Sequence, residues 1–447
     1  MTQEEKKILM TTAPVEKLVC KMAVPTIISM LISSFYNMAD TYFVGTLNTQ
    51  ATAAVGIAFA LMSVIQALGF MFGHGTGVLI ANVLGKGDTK EAQKISVTGF
   101  VYAFVIGSIL TVLGLLFLEP LCYILGSTDT ILPYAKDYIR IILIGAPIMM
   151  ASLVMNNQMR YQGNAVYAMV GIVTGAVINI ALDPLLINVF DMGIAGAAWA
   201  TIISQSISFV LLIIGSCREG NIHINLKKFD YHPRTIGRIV KGGLPSLFRQ
   251  GLASIAAASM NLAAKPFGDA VIAGMTVSGR IMMFINSTLI GFGQGFQPVC
   301  GFNYGAGKYD RVKKAFYFCV KTSFVFLIVL SILTALGAPF LVELFRKGDS
   351  EVIKVGAMAL RFNCITLPLN AWIVLTNMLL QATGKSVSAI IASASRQGFF
   401  YLPAIWILSY YYGVTGIEVT QAVADVFALI LSIPLALHFF KKIAKIS

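Results

Sequence analysis

The sequence predicts an all-α integral membrane protein of twelve transmembrane helices, arranged as two pseudo-symmetric six-helix bundles. Three observations carry that prediction. The composition is 57% hydrophobic and only 12% charged, whereas a globular domain carries roughly a quarter charged residues. Apolar stretches of spanning length recur along the whole chain, each able to cross a hydrocarbon core of roughly 30 Å as a helix. The chain also repeats itself. Shifted by 220, Pro25 meets Pro245, Gly73 meets Gly293, Gly75 meets Gly295, Gly87 meets Gly307 and Gly193 meets Gly413; between those groups the shift is 221, with Arg140 on Arg361, Asn156 on Asn377 and Gly163 on Gly384.

In chain order, residues Met1 to Lys21 are charged and mixed, with no cleavage pattern after them, and are read as retained. Spans are expected near 22–44, 51–82, 95–118, 138–158, 165–188, 193–216, 239–263, 270–300, 315–342, 355–380, 387–411 and 416–438. This gives an N-terminal bundle over 1–217, a basic linker over 218–238 and a C-terminal bundle over 239–447. Six is even, so the halves share one orientation, and parallel repeats of this kind are a transporter architecture with the substrate site between them.

The net charge of +13 is distributed as a topology signal. With the N-terminus inside, the inner segments hold 22 Lys and Arg and the outer ones 5, which places both termini in the cytoplasm of a cell with a plasma membrane, such as a bacterium. The partners expected are therefore a lipid bilayer and small molecules, with no nucleic acid. Six cysteines lie scattered without C-x-x-C spacing or neighbouring histidines, so they read as free thiols, and no cofactor is expected. A monomer is expected.

Glycine marks the turns. Val83 to Asp88 and Asn303 to Lys308 each follow a Gly-rich span and precede a basic helix start, as tight reversals require. A phosphate loop is excluded at both Gly85-x-Gly87 and Gly291 to Gly295, because no strand precedes them.

Candidate functional residues follow from cost. An aspartate at the centre of a spanning helix costs roughly 2.5–3.5 kcal/mol, so Asp40 and Asp183 are functional candidates by default. Asn179 shares a helix face with Asp183, and Pro184 cannot donate to the carbonyl of Ile180, leaving amide, carboxylate and carbonyl oxygen as cation or proton ligands. Stapling of neighbouring helices by Asn179 and Asp183 is the alternative. Shifted by 220, Asp40 falls on Met260 and Asp183 on Pro403, so the acids belong to the first half alone. Tyr36 and Asn37 precede Asp40 on its face. Met260, Arg280, Met283, Phe284 and Asn157, with Tyr36 and Asn37, are candidates to line a substrate cavity; Met repacks around varied shapes. Arg280 and Arg396 are expected to pair with Asp425 in a buried network, or else to face the cavity.

The pattern Met38-Ala-Asp40-Thr-Tyr-Phe-Val-Gly45 and the eighth-span run Gly293-Gln-Gly295-Phe-Gln-Pro298, continuing through Gly301-Phe-Asn-Tyr-Gly305-Ala-Gly307, resemble signatures of the multidrug and toxic compound extrusion (MATE) family. The resemblance covers nearly the whole chain, and its length resembles the bacterial MepA-like branch. It implies a V-shaped pair of six-helix bundles around a central cavity, exporting organic cations or drugs in exchange for H+ or Na+. It also implies an ion-coupling set of Asp40, Asn179, Asp183 and Thr201, the first three serving as metal ligands if the ion is sodium. Acids found in the seventh and tenth spans of sodium-coupled relatives are missing here, so no acidic site is expected in the second half.

The expected function is thus a cation-coupled antiporter exporting amphipathic, cationic compounds by alternating access, and not an enzyme. Two neighbouring buried carboxylates titrate as a coupled pair, which makes external protons one candidate ligand. The rivals are a lipid-linked saccharide flippase, suggested by Arg249, Arg280 and Arg396, and a membrane-embedded lipid-modifying enzyme, for which no acidic metal cluster or histidine constellation is visible.

Overall fold

The computed structural model describes residues 2–45, 47–345 and 348–445, and among them there is no β-strand. In the first half, a short α1 (Gln3–Thr12) leads into α2 (Val15–Gly45), α3 (Thr49–Lys86), α4 (Thr89–Leu116), the short α5 (Leu118–Ile124), α6 (Leu132–Tyr161), α7 (Ala165–Pro184) and α8 (Gly193–Ser216). An irregular linker then reaches α9 (Pro233–Ala264), α10 (Asp269–Gly305), α11 (Tyr309–Phe345), α12 (Ser350–Thr366), α13 (Asn370–Ala382), α14 (Ser386–Ala394) and α15 (Tyr401–Ala444).

Ten stretches of the described residues are long and apolar enough to span a membrane. The last of them, Ser386–Ala444, has 59 residues and would measure about 88 Å as one straight helix, far beyond one crossing. It breaks at Gly413, whose φ of 57° leaves the helical region. Contacts between Arg396 and Asp425, Gln397 and Gln421, and the stacked rings of Phe400 and Phe427 fold its second part back along the first, making two crossings. α9 is of spanning length but too polar to stand out by composition, because Arg249, Gln250 and Asn261 interrupt its apolar part beyond the basic first turns. With these two additions the crossings among the described residues number twelve.

The internal repeat is written in backbone geometry. Gly87 ends α3 in the left-handed region at φ 90°, donating to Leu84 O at 3.0 Å while Asp88 N reaches Val83 O at 3.2 Å. Gly307 ends α10 at φ 73° with the same pair of bonds, to Tyr304 O and Asn303 O. This is the glycine stop of a helix, satisfying carbonyls that the last turn would otherwise orphan. Asn156 Nδ2 donates to Ala168 O at 2.7 Å and Asn377 Nδ2 to Ala389 O at 2.8 Å, each spanning twelve residues. All six cysteines are free thiols.

The helices group into two compact units. The first comprises Met1–Ala13 and Ile28–Leu247, the second Pro14–Ile27 and Phe248–Ser447. Thus α2 and α9 each contribute one part to either unit. Close backbone approach explains both exchanges. In the first unit a Cβ on Gly75 of α3 would collide with the Ile239 carbonyl and stand 3.1 Å from Gly243 N of α9. In the second unit a Cβ on Gly295 of α10 would collide with Ala23 of α2, and Thr26 Oγ1 donates to Gly291 O at 2.6 Å. Small residues let the dispersion contacts that drive helix association in lipid reach backbone distance. Ala23 and Gly243 are themselves 220 positions apart.

Candidate functional site

Four helices of the first unit deliver the polar residues of one cluster. Tyr36 and Asp40 come from α2, Tyr138 from the first turns of α6, Asn179 and Asp183 from α7, and Thr201 from α8. α7 closes at Pro184, and the chain continues as a π-helical turn over Leu185–Val189. α8 packs onto that turn through Gly196, where a Cβ would stand 2.8 Å from the Leu186 carbonyl oxygen. The spacing of Asn179 and Asp183 puts both on the inward face of α7, and both are fully buried.

Asp40 and Asp183 lie within electrostatic range of each other and of the hydroxyls of Tyr36 and Tyr138. Tyr138 is fully buried, its hydroxyl donating to Met62 Sδ at 3.9 Å, and Thr201 Oγ1 donates to Ala197 O at 3.1 Å. Among the described residues neither acid forms an ion pair. Both carboxylate oxygens of Asp183, both amide atoms of Asn179 and Oδ1 of Asp40 are buried without a hydrogen-bond partner. Each such group costs about 1–3 kcal/mol to bury unmet, and native proteins leave few of them. Two carboxylates and a carboxamide converging in a shielded place can share a proton or coordinate a small cation.

The second unit supplies an internal control. Tyr36, Asp40 and Tyr138 correspond to Ala256, Met260 and Ala359, and all three of these pack into one apolar cluster with Val271, Met275 and Ile405. At these three positions the second unit carries only carbon and sulfur side chains, while Thr201 corresponds to Gln421, which donates to Asp425. The acid–phenol set is thus particular to the first unit.

The remaining cavity candidates are divided between the units. Asn37 Nδ2 donates to Ser33 O along its own helix at 2.8 Å. Asn157 is buried near the other end of α6, 19 residues or about 28 Å from Tyr138, where it accepts a hydrogen bond from Arg160 beside His74. In the second unit Met260 is half-buried against the apolar cluster, Phe284 is half-buried, and Met283 is 57% exposed. The expected network of Arg280 and Arg396 with Asp425 is half right. Arg396 Nε donates to Asp425 Oδ1 at 2.7 Å, whereas Arg280 is exposed on α10 and is not part of that pair. Sequence reasoning passed over Tyr138, although its pairing with Ala359 in the repeat carries the same asymmetry that marks Asp40. It also passed over Glu418, an acid of α15 only 5% exposed.

The family model MatE matches residues 25–185 and again 245–407, one copy in each half. The chain belongs to the MatE family. Its relatives include the multidrug export protein MepA of Staphylococcus haemolyticus, 26% identical over 425 residues covering 95% of this chain and 93% of that protein. The MepA of Staphylococcus aureus strain MSSA476 is 25% identical over 95% of this chain and 94% of its own. Among solved structures, MATE in complex with MaL6 superposes with a TM-score of 0.94 at 25% identity, covering 98% of this chain and 99% of that one. An outward-facing multidrug resistance MATE family transporter of the MOP superfamily gives a TM-score of 0.93 at 25% identity over 98% of both chains. As a MatE protein the chain is a multi-pass membrane transporter and not an enzyme.

Proposed function

We propose that this MatE transporter is a cation-coupled multidrug antiporter of a bacterial plasma membrane, with both termini in the cytoplasm. It exports amphipathic, cationic organic compounds by alternating access, driven by inward movement of protons or sodium ions. The observation that carries the coupling is the orphaned polar set of Asp183, Asn179 and Asp40, faced by Tyr36 and Tyr138 and replaced by carbon in the second unit.

Taken up from outside, a proton or sodium ion meets those oxygens and removes the repulsion between the two acids. α2 and α7 then repack, and the change in their positions lowers affinity for the outgoing compound. Export of drugs by the MepA relatives supports the substrate class. Against a lipid-linked saccharide flippase, whose anionic cargo needs free cations, stands the neutralisation by Asp425 of one of its three candidate arginines, Arg396.

The test is substrate transport in proteoliposomes with the proton and sodium gradients imposed separately. Transport driven by one gradient supports antiport and names the ion. Transport indifferent to both would overturn coupling.

A further inference from the structure

We infer that the linker between the two halves is a docking surface for anionic phospholipid headgroups, seated at the membrane rim beside the start of α4. The depth follows from counting. The span of α4 ends at Leu116, and a hydrocarbon core of roughly 30 Å takes about 20 residues, so its near rim falls close to Val97. The linker is fixed at that level. Asp230 N donates to Thr98 Oγ1 at 3.2 Å, and the Phe229 ring packs on Tyr102 with centroids 5.8 Å apart. Just beyond, Phe104, Val105 and Ile109 of α4 are exposed, as a lipid-facing surface is.

What the linker presents at this rim is apolar, aromatic and basic together. Leu226 is 63% exposed and Tyr231 83%, and Lys227 and Lys228 lie exposed between them on a single 3-10 turn. Tyr231 is held edge-on against Phe229, with centroids 4.5 Å apart, so its ring is positioned rather than loose. The nearby acids are already engaged. Asp230 accepts from Thr235 Oγ1 at 2.6 Å and from His232 N, and Glu91 pairs with Arg238 at 2.9 Å. From Arg218 to Lys241 six basic residues face two acidic ones. A tyrosine and a leucine at headgroup depth flanking two free ammonium groups match the interfacial aromatic belt and the attraction of basic segments to anionic leaflets. The occupant is therefore the anionic phospholipid of the surrounding leaflet, and this reading is independent of the transport substrate.

The test is limited trypsin digestion of the full chain in nanodiscs of phosphatidylcholine alone or of phosphatidylcholine with phosphatidylglycerol, following cleavage after Lys227 and Lys228 by mass spectrometry. Two lysines at an anionic surface should slow that cleavage by about ten-fold or more in the phosphatidylglycerol discs, and high salt should restore it. The double variant Leu226→Ser, Tyr231→Ser keeps both cleavage sites and should lose much of the protection while retaining the parent melting temperature. Equal cleavage in the two lipids would overturn the inference, as would protection that is present in phosphatidylcholine alone, since the fold would then shield the turn by itself.

Discussion

Arg396 and Asp425, one on each arm of the final helical hairpin, meet at 2.7 Å, with the Asp425 carboxylate only 2% exposed. Gln421 donates to the same oxygen at 2.8 Å, and Asn370 and Thr366 approach the other at 3.3 and 3.4 Å. This carboxylate is satisfied on both oxygens where that of Asp183 is satisfied on neither, which separates a structural acid from a candidate coupling acid.

Asp425→Asn should accordingly lower stability by roughly 3–5 kcal/mol, because it strands the Arg396 charge in a low-dielectric interior. The double replacement Arg396→Leu, Asp425→Leu should recover much of that loss. Thermal melting of the purified variants checks the first effect. The ions moved per substrate by folded Asp425→Asn should equal the parent value, and a changed stoichiometry would place a second coupling site in the C-terminal half.

Asp40→Asn and Asp183→Asn should each abolish coupled export while leaving expression near normal, since the amide is isosteric but cannot ionise. Tyr138→Phe should impair coupling less, as it removes one hydroxyl and no charge. Drug resistance of cells carrying each variant, read beside the amount of protein in the membrane, measures this. Near-parent resistance in either Asp variant would remove the ion site.

At the helix exchanges, Gly75→Leu and Gly295→Leu should each cost about 1–3 kcal/mol or more by forcing backbones apart. Gly279→Ala on the open face of α10, where nothing stands within 4 Å of an added Cβ, should be neutral. Yield of folded protein by size-exclusion chromatography compares the three.

Lys6 links stability to pH outside the membrane. Its ammonium is buried against Gly220 O and Asn221 Oδ1, the latter at 2.7 Å, and burial lowers its pKa from 10.5 to about 8. Between those values the undocked helix binds more protons than the docked one, so docking of α1 should strengthen as pH rises from about 8 to 10.5 and be flat below. Hydrogen-exchange protection factors for α1 amides measure it, and Lys6→Met should abolish the slope.

Topology can be read by cysteine labelling after removal of the exposed Cys20 and Cys217. Cysteines at Asn48 and Asp191 should react from outside the cell, and one at Leu226 only after permeabilisation. Asn221 is unsuitable as the inner probe because it is buried beneath Lys6. Labelling in the reverse pattern would invert the orientation.

By itself the sequence determined the membrane class, the spans, the repeat and the intramembrane acids. These are properties of single segments: a spanning helix satisfies its own backbone, so hydropathy over twenty residues suffices to find it, and a buried charge is conspicuous wherever it stands. Glycine positions carried the repeat because a positive φ or a backbone contact leaves no other residue free to serve. Only the tertiary structure decided which side chains meet. It placed Tyr138 within electrostatic range of Asp40 and Asp183, left Arg280 outside the Arg396–Asp425 pair, buried Asn221 under α1, and divided α2 and α9 between the units. Those outcomes depend on the rotation of each helix about its axis and on close approach at Gly75 and Gly295, and both are set by partners hundreds of residues away rather than by the local pattern of any one span.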